Sequence, residues 1–138
     1  MTAPHLFKIR VYYEDTDFSG FVYHASHVRF IERARTEMLR ELGLQQRALL
    51  EGEAGPGFFF VVRAMELDFR RPALMDDLLT VESRLVAIGG ASITFVQRIL
   101  REDEPLVIAK VTIAAVENGR ACRLPPDVRA RFETFLCP

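Results

Sequence analysis

The sequence predicts an α+β domain in which a curved antiparallel sheet covers one long helix, and two observations carry that expectation. Apolar residues recur every second position along residues 7–13, every third or fourth along residues 25–42, and every second again for most of the chain after Gly57. No Rossmann glycine fingerprint and no phosphate-loop motif accompanies these segments, which argues against a parallel nucleotide-binding sheet.

Residues 7–13 set Phe7, Ile9, Val11 and Tyr13 against Lys8, Arg10 and Tyr12, the period of a strand with one buried face. Glu14-Asp15-Thr16-Asp17 follows as a polar turn, and Ser19-Gly20 frees the backbone to bend. Val28, Ile31, Ala34, Met38 and Leu42 then gather on one side of a helix. Arg29, Arg33, Glu37, Arg40 and Glu41 face away from it, with Arg33 and Glu37 spaced for mutual support. Gly43 marks its stop; Ser26, His24 or an earlier polar residue marks its start. Residues 45–57 read as a connection with residual helical turns, broken by Gly52, Gly55, Pro56 and Gly57.

Four strands and a short helix complete the order. Met65, Leu67 and Phe69 alternate with Glu66, Asp68 and Arg70 until Pro72 ends the run. Leu79, Val81, Ser83, Leu85 and Ala87 oppose Thr80, Glu82 and Arg84, and Gly89-Gly90 predicts a tight reversal. Over residues 91–100, Ile93, Phe95 and Ile99 face one side, Thr94 and Arg98 the other. Asp103-Glu104-Pro105 turns the chain into residues 106–116, apolar on both faces and therefore predicted as a covered central strand. Pro125-Pro126 opens the last helix, sealed by Val128, Phe132 and Phe135 or Leu136. One long helix covers only one face of such a sheet, so the other apolar face predicts a second subunit.

The 138 residues suffice for one domain over residues 1–138 with a sizeable core. Apolar residues at 49% and charged residues at 27% are those of a globular protein, and a net charge of -1 gives no general pull toward nucleic acid or anionic membrane. The basic side chains between Arg29 and Arg47 alternate with Glu32, Glu37 and Glu41, unlike a nucleic-acid footprint. The first residues lack the apolar core of a secretory signal, and no stretch approaches the roughly 18–20 apolar residues of a membrane helix. The expectation is a cytoplasmic protein with no transmembrane segment. Cys122 and Cys137 form no CxxC pair and are expected as two reduced thiols.

Chemistry concentrates between Tyr13 and His24, where two carboxylates and an imidazole meet apolar residues at the mouth of the helix. Two roles are open to Asp17: accepting backbone N–H bonds in a turn, or activating water at a carbonyl or attacking it directly. An ordinary carboxylate is a weak base near neutral pH, so a pocket that raises its pKa favours the second role. Asp15 is read as structural. His24 has three readings: handling the proton of water or a leaving group, holding Asp17 or a carbonyl, or capping the helix. Tyr13 and Tyr23 are read as pocket walls or orienters, because a free phenol stays protonated at neutral pH.

Other groups point elsewhere. His5 and His27 lie far from any ligand set and no HExxH occurs, so no metal is expected; GxSxG is also absent, which excludes a serine nucleophile elbow. Asp76-Asp77 reads as a solvated turn. Arg70-Arg71 is either a solvated strand end or a clamp for phosphates.

Val11-Tyr12-Tyr13-Glu14-Asp15-Thr16-Asp17, Val22-Tyr23-His24-Ala25-Ser26 and Phe30-Ile31-Glu32-Arg33-Ala34-Arg35-Thr36-Glu37-Met38-Leu39-Arg40 together resemble the hydroxybenzoyl-coenzyme A thioesterase family, in particular its Tol-Pal system-associated acyl-coenzyme A thioesterases. Phe60-Val61-Val62-Arg63, Pro72-Ala73, Gln97-Arg98-Ile99 and Arg123-Leu124-Pro125 extend the resemblance over about residues 6–135. It implies the hotdog fold, with two protomers joined through a continuous sheet as a homodimer or homotetramer and sites at the interface. It implies hydrolysis of acyl-coenzyme A, with Asp17 as general base or nucleophile and Tyr23, His24 and Ala25 as the helix entrance supplying the histidine and backbone donors. No metal or resident cofactor is implied, because coenzyme A is part of the substrate. A protein partner at the cell envelope is a further implication.

This chain departs from the family after the aspartate, where Phe18-Ser19-Gly20-Phe21 replaces a small residue and two glycines. Phe18 and Phe21 are expected to shorten the acyl channel or favour an aromatic ring. A hydratase or dehydratase on the same scaffold and a noncatalytic acyl-thioester-binding protein are the alternatives.

Overall fold

The computed structural model describes residues 3–52 and 57–137; the expected breakers Gly55 and Pro56 lie outside the described residues. Strand β1 (His5–Arg10) leads through a 3-10 turn (Tyr13–Asp15) into the long helix α1 (His24–Glu41) and a short helix α2 (Gln46–Glu51). Strands β2 (Phe59–Phe69), β3 (Leu78–Ile88), β4 (Ser92–Arg101) and β5 (Glu104–Glu117) follow. A brief β6 (Arg120–Ala121), which the sequence pattern does not announce, precedes the terminal helix α3 (Pro126–Glu133).

The strands pair antiparallel in the order β1-β3-β4-β5-β2, with β6 on the end of β5. Register shifts at Val62/Ala64, Leu85/Ala87 and Ile99/Leu100 insert bulges, which increase local twist and bend the sheet. The bulge in β3 also reverses the expected facing of Ala87, which is exposed although Leu79, Val81, Ser83 and Leu85 are buried.

Helix α1 buries Phe30, Ile31, Ala34, Met38 and Leu39 in one core with Leu79, Val81 and Leu85 of β3 and Ile93, Phe95 and Ile99 of β4. Each large side chain withdrawn from water there contributes about 1.5–3 kcal/mol. Polar groups also enter this layer. The Arg35 guanidinium donates to Gln97 Oε1 at 3.0 Å, and Gln97 Nε2 donates to Ile31 O at 3.1 Å and Ser83 Oγ at 2.9 Å. The network fixes the height and rotation of α1 on the sheet, which in turn positions the helix's first turn.

Four local expectations need correction. The first strand stops at Arg10, because Val11 N–H donates to Asp77 O at 2.9 Å and Asp76 N–H to Val11 O at 3.0 Å. Tyr12 and Tyr13 therefore leave the sheet. Neither Ser26 nor His24 caps α1 through its side chain: the N-cap is Tyr23, with extended backbone and no side-chain cap bond. Glu37 pairs with Arg40 at 3.5 Å rather than with Arg33. Asp77 is also more than a solvated turn, since its Oδ2 accepts from Leu74 N–H at 2.9 Å and Arg101 Nη1 at 2.8 Å. Cys122 and Cys137 are free thiols, as expected. Among the described residues no helix is long and apolar enough to cross a membrane.

Candidate active site

The segment between β1 and α1 is held by backbone bonds that leave its functional groups outward. Asp15 Oδ2 accepts from Tyr12 N–H at 2.8 Å, and Asp15 O accepts from Tyr23 N–H at 2.9 Å. Asp15 is thus the structural carboxylate, tying the start of the loop to the start of the helix. Between these anchors Asp17 N–H donates to Phe21 O and Gly20 N–H to Asp17 O, both at 3.0 Å. Gly20 takes φ 85°, a conformation that strains residues with a Cβ.

Inside that turn Ser19 donates twice to Asp17 Oδ1, from N–H at 2.8 Å and from Oγ–H at 2.5 Å. Among the described residues no donor reaches Asp17 Oδ2, so one carboxylate oxygen is fixed and the other is free. The Ser19 hydroxyl first, then its N–H and, least, the nearby His24 hold the Asp17 carboxyl below the usual carboxylate range against an opposing effect of burial. A pocket that raises its pKa was the favourable case; this turn does the reverse because Asp17 is exposed and charge-stabilised.

Helix α1 presents its N-terminus to the same place. Ser26 N–H is bonded to Tyr23 O at 2.8 Å, while the N–H groups of His24 and Ala25 have no intrahelical carbonyl a turn behind them. Free leading donors and the positive pole of the helix suit an oxygen that gains negative charge.

A cleft of about 310 Å³ runs beside this terminus, lined by Asp17, Ser19, Phe21, Val22, His24, His27, Phe69, Arg70, Arg71 and Pro72. It unites the predicted Asp17, Phe21 and His24 with Arg70 and Arg71, from two stretches of chain far apart in sequence. Tyr13, Phe18, Tyr23 and Ala25 are not among its lining residues. Tyr13 and Phe18 point to solvent, and Tyr23 stands with its ring 4.6 Å from that of His24. In the single chain Phe18 therefore does not narrow the cleft, whereas Phe21 does.

Arg70 and Arg71 sit where β2 ends, and both of their N–H groups turn onto Leu106 O. Arg70 Nε donates to Asp68 at 2.8 Å and Arg71 Nε lies 3.2 Å from Glu104. Both arginine side chains are more than half exposed. Among the described residues no group of three or more His, Cys, Asp or Glu is arranged to hold a metal ion.

Residues 11–132 match the model of the thioesterase-like superfamily. This chain belongs to that superfamily. Acyl-CoA thioesterase YbgC of Haemophilus influenzae is 44% identical over 128 residues, 91% of this chain and 92% of the relative. Acyl-CoA thioester hydrolase YbgC of Escherichia coli is 41% identical over 135 residues, 96% of this chain and 98% of the relative. The crystal structure of a probable thioesterase from Bartonella henselae superposes with TM-score 0.86 at 48% identity, covering 89% of this chain and all of that one. The curved sheet around α1 is the hotdog fold of these thioesterases.

Within this superfamily member, His27 and Phe69 line the cleft although the sequence reading gave them no site role. The sequence presents His27 only as a candidate metal ligand. Its spacing of three from His24 on one helix was the available signal, since residues so spaced share a face. Phe69 offered none, because as the end of an alternating strand it reads like any core residue.

Proposed function

We propose that this chain hydrolyses the thioester of an acyl-coenzyme A to a carboxylic acid and coenzyme A in the Asp17–His24 cleft. The observation that carries the reading is that Asp17, with one carboxylate oxygen free, shares a cleft with His24 and the uncapped start of α1. The names of the Haemophilus influenzae and Escherichia coli relatives, an acyl-CoA thioesterase and an acyl-CoA thioester hydrolase, support the same substrate class.

The thioester carbonyl oxygen points at the N–H groups of His24 and Ala25. Water attacks the carbonyl carbon as its proton passes to Asp17 Oδ2, or Oδ2 attacks directly and forms a mixed anhydride that water then opens. The tetrahedral oxyanion collapses, the C–S bond breaks, and the thiolate of coenzyme A takes a proton from His24. Ser19 keeps Asp17 ionised and fixes its rotamer, so the carboxylate is in its reactive form without a proton to shed. Arg70 and Arg71 at the rim offer donors to the phosphates, and Phe21 walls the acyl group while Tyr23 orients His24. Tyr13 and Phe18 reach the substrate only from a neighbouring protomer, given their outward direction.

A homodimer built on β2 fits this site. That strand is a sheet edge, eleven residues long, with Phe59, Val61, Val62 and Phe69 substantially exposed. Long apolar edges invite pairing with another strand. Replacing Val61 and Val62 by Lys is expected to shift sedimentation toward monomer; an unchanged sedimentation coefficient rejects β2 pairing. The family resemblance also supports a cytoplasmic location and a protein partner at the cell envelope.

The test is free-thiol release from short, branched, aromatic and long acyl-coenzyme A substrates by the purified protein, alongside Asp17→Asn. Loss of about 10²–10⁴-fold in kcat is expected for that variant, with the oligomer intact. Undiminished release rejects the role of Asp17. Water addition to an enoyl thioester without thiol release rejects hydrolysis. In a single turnover in ¹⁸O-water, label in Asp17 identifies an anhydride opened at the aspartyl carbon, whereas label confined to the product acid fits the general base and an anhydride opened at the acyl carbon alike.

A further inference from the structure

His27 is the one deeply buried polar side chain that lines the cleft. It is 3% exposed, against an exposed His24 one turn earlier on the same helix. Its Nδ1 is buried and has no hydrogen-bond partner among the described residues. Its ring packs at 5.8 Å from Phe69 and edge-on at 6.0 Å from Phe30, so its surroundings are aromatic. A buried polar atom without a partner carries a desolvation cost, and no described residue offsets it here. Burial, reinforced by the neighbouring His24, pulls the His27 pKa down to about 4, which keeps the ring neutral at physiological pH. A neutral imidazole donates one hydrogen bond and accepts one.

The order of groups along the cleft says what would meet that ring. Arg70 and Arg71 are exposed at the rim, where the bulky phosphate-bearing part of the substrate has room. Asp17 and His24 stand at the helix start, where the thioester carbon is placed by the function proposed above. His27 follows three residues on, roughly 4.5 Å of helix rise, and is buried where His24 is exposed. The acyl group is the part of the substrate that continues inward past the carbonyl, and it meets Phe21, Val22, Phe69 and the His27 ring.

We infer that His27 is a specificity-determining residue: a single neutral hydrogen-bonding group in the aromatic wall of the acyl subsite, favouring acyl groups that carry a hydroxyl or keto oxygen near the thioester carbonyl over plain hydrocarbon chains. The inference rests on the acyl-coenzyme A hydrolase reading and adds the substrate class to it. The substrate oxygen fills the bonding capacity that the chain leaves open at this ring. Hydrocarbon groups of the same length enter the same space but leave the nitrogen unpaired.

The experiment compares kcat/KM for 3-hydroxybutyryl-coenzyme A and butyryl-coenzyme A, by thiol release, in the wild-type protein, His27→Phe and His27→Leu. Wild type is expected to favour the hydroxyacyl substrate by about five- to tenfold, the worth of one net hydrogen bond. In either apolar variant the ratio falls to within about twofold, and because it is read as a ratio any loss common to both substrates cancels. Two replacements of different bulk keep the test decisive if one of them fails to fold, as judged by circular dichroism. Equal turnover of both substrates by wild type, or a preference that survives both variants, overturns the role of His27 and leaves hydrolysis standing. Release of no thiol from any acyl-coenzyme A overturns the hydrolase reading, and the His27 assignment falls with it.

Discussion

At its first turn α1 carries His27 deeply buried with Nδ1 unpartnered, whereas two turns on Arg35 is comparably buried yet bonded to Gln97, which is itself bonded to Ile31 and Ser83. Both positions place a polar side chain in an apolar layer. In the middle of the helix, side-chain partners from β3 and β4 meet it, so that region serves stability. At the first turn no such partner is found among the described residues and no side chain caps the helix, so bonding capacity is left for something outside the chain. The contrast teaches that a buried polar group must be judged by its partners rather than its depth.

Breaking the middle should cost most in stability. Gln97→Leu removes the acceptor of a buried guanidinium together with two further hydrogen bonds, and burial already works against the charge of Arg35. A loss of about 3 kcal/mol is expected, read as a lower midpoint in urea unfolding. Arg35→Met added to that variant should recover part of the loss, because the uncompensated charge is gone. If Gln97→Leu unfolds at the wild-type midpoint, the network does not lock α1. His24→Ala probes the other region. It should lower kcat by roughly 10²-fold and leave the unfolding midpoint nearly unchanged, because His24 is exposed and makes no cap. A large stability loss with normal turnover would reverse the contrast.

How much of this was legible in the sequence follows from which interactions are local. The helix period and strand alternation disclosed α1 and most strands, because burial on one face imposes those repeats directly on residue order. Asp17 and His24 were legible as candidates, since both belong to one short stretch whose register matches a family. The end of β1 was not, because it depends on Val11 changing partners to Asp76 and Asp77, far along the chain. Ala87 departs from the alternation of its strand because a register shift changes the period without leaving a mark in composition. The Gln97 network stayed hidden for the same reason: a glutamine in an alternating strand does not say that an arginine from a distant helix will reach it. The depressed pKa of Asp17 depends on the Ser19 rotamer, which the residue order does not specify.

The rim should respond more weakly than the helix. Arg70→Ala and Arg71→Ala each remove an exposed charge already shared with a carboxylate, Asp68 or Glu104. KM for an acyl-coenzyme A is expected to rise about three- to tenfold with kcat preserved, and added salt should shrink the difference because exposed charges are screened. An effect confined to kcat would place these arginines at the reacting carbon instead.

The smallest effect is expected at Ser19, and its sign is fixed by the hydrogen bonds. Ser19→Ala deletes the hydroxyl that does most to hold Asp17 ionised but leaves the backbone N–H bond at 2.8 Å. The Asp17 pKa should then rise toward the ordinary carboxylate value, so the acid limb of kcat/KM moves to higher pH while the rate near neutrality changes little. Stability follows the same sign. A carboxylate whose folded pKa is depressed contributes stability above its unfolded pKa and loses it as pH falls through the folded one, so any advantage of wild type disappears in acid. An acid limb that stays in place or moves down shows that Ser19 does not set the ionisation of the group that limits turnover, and that the macroscopic value belongs to another residue of the cleft.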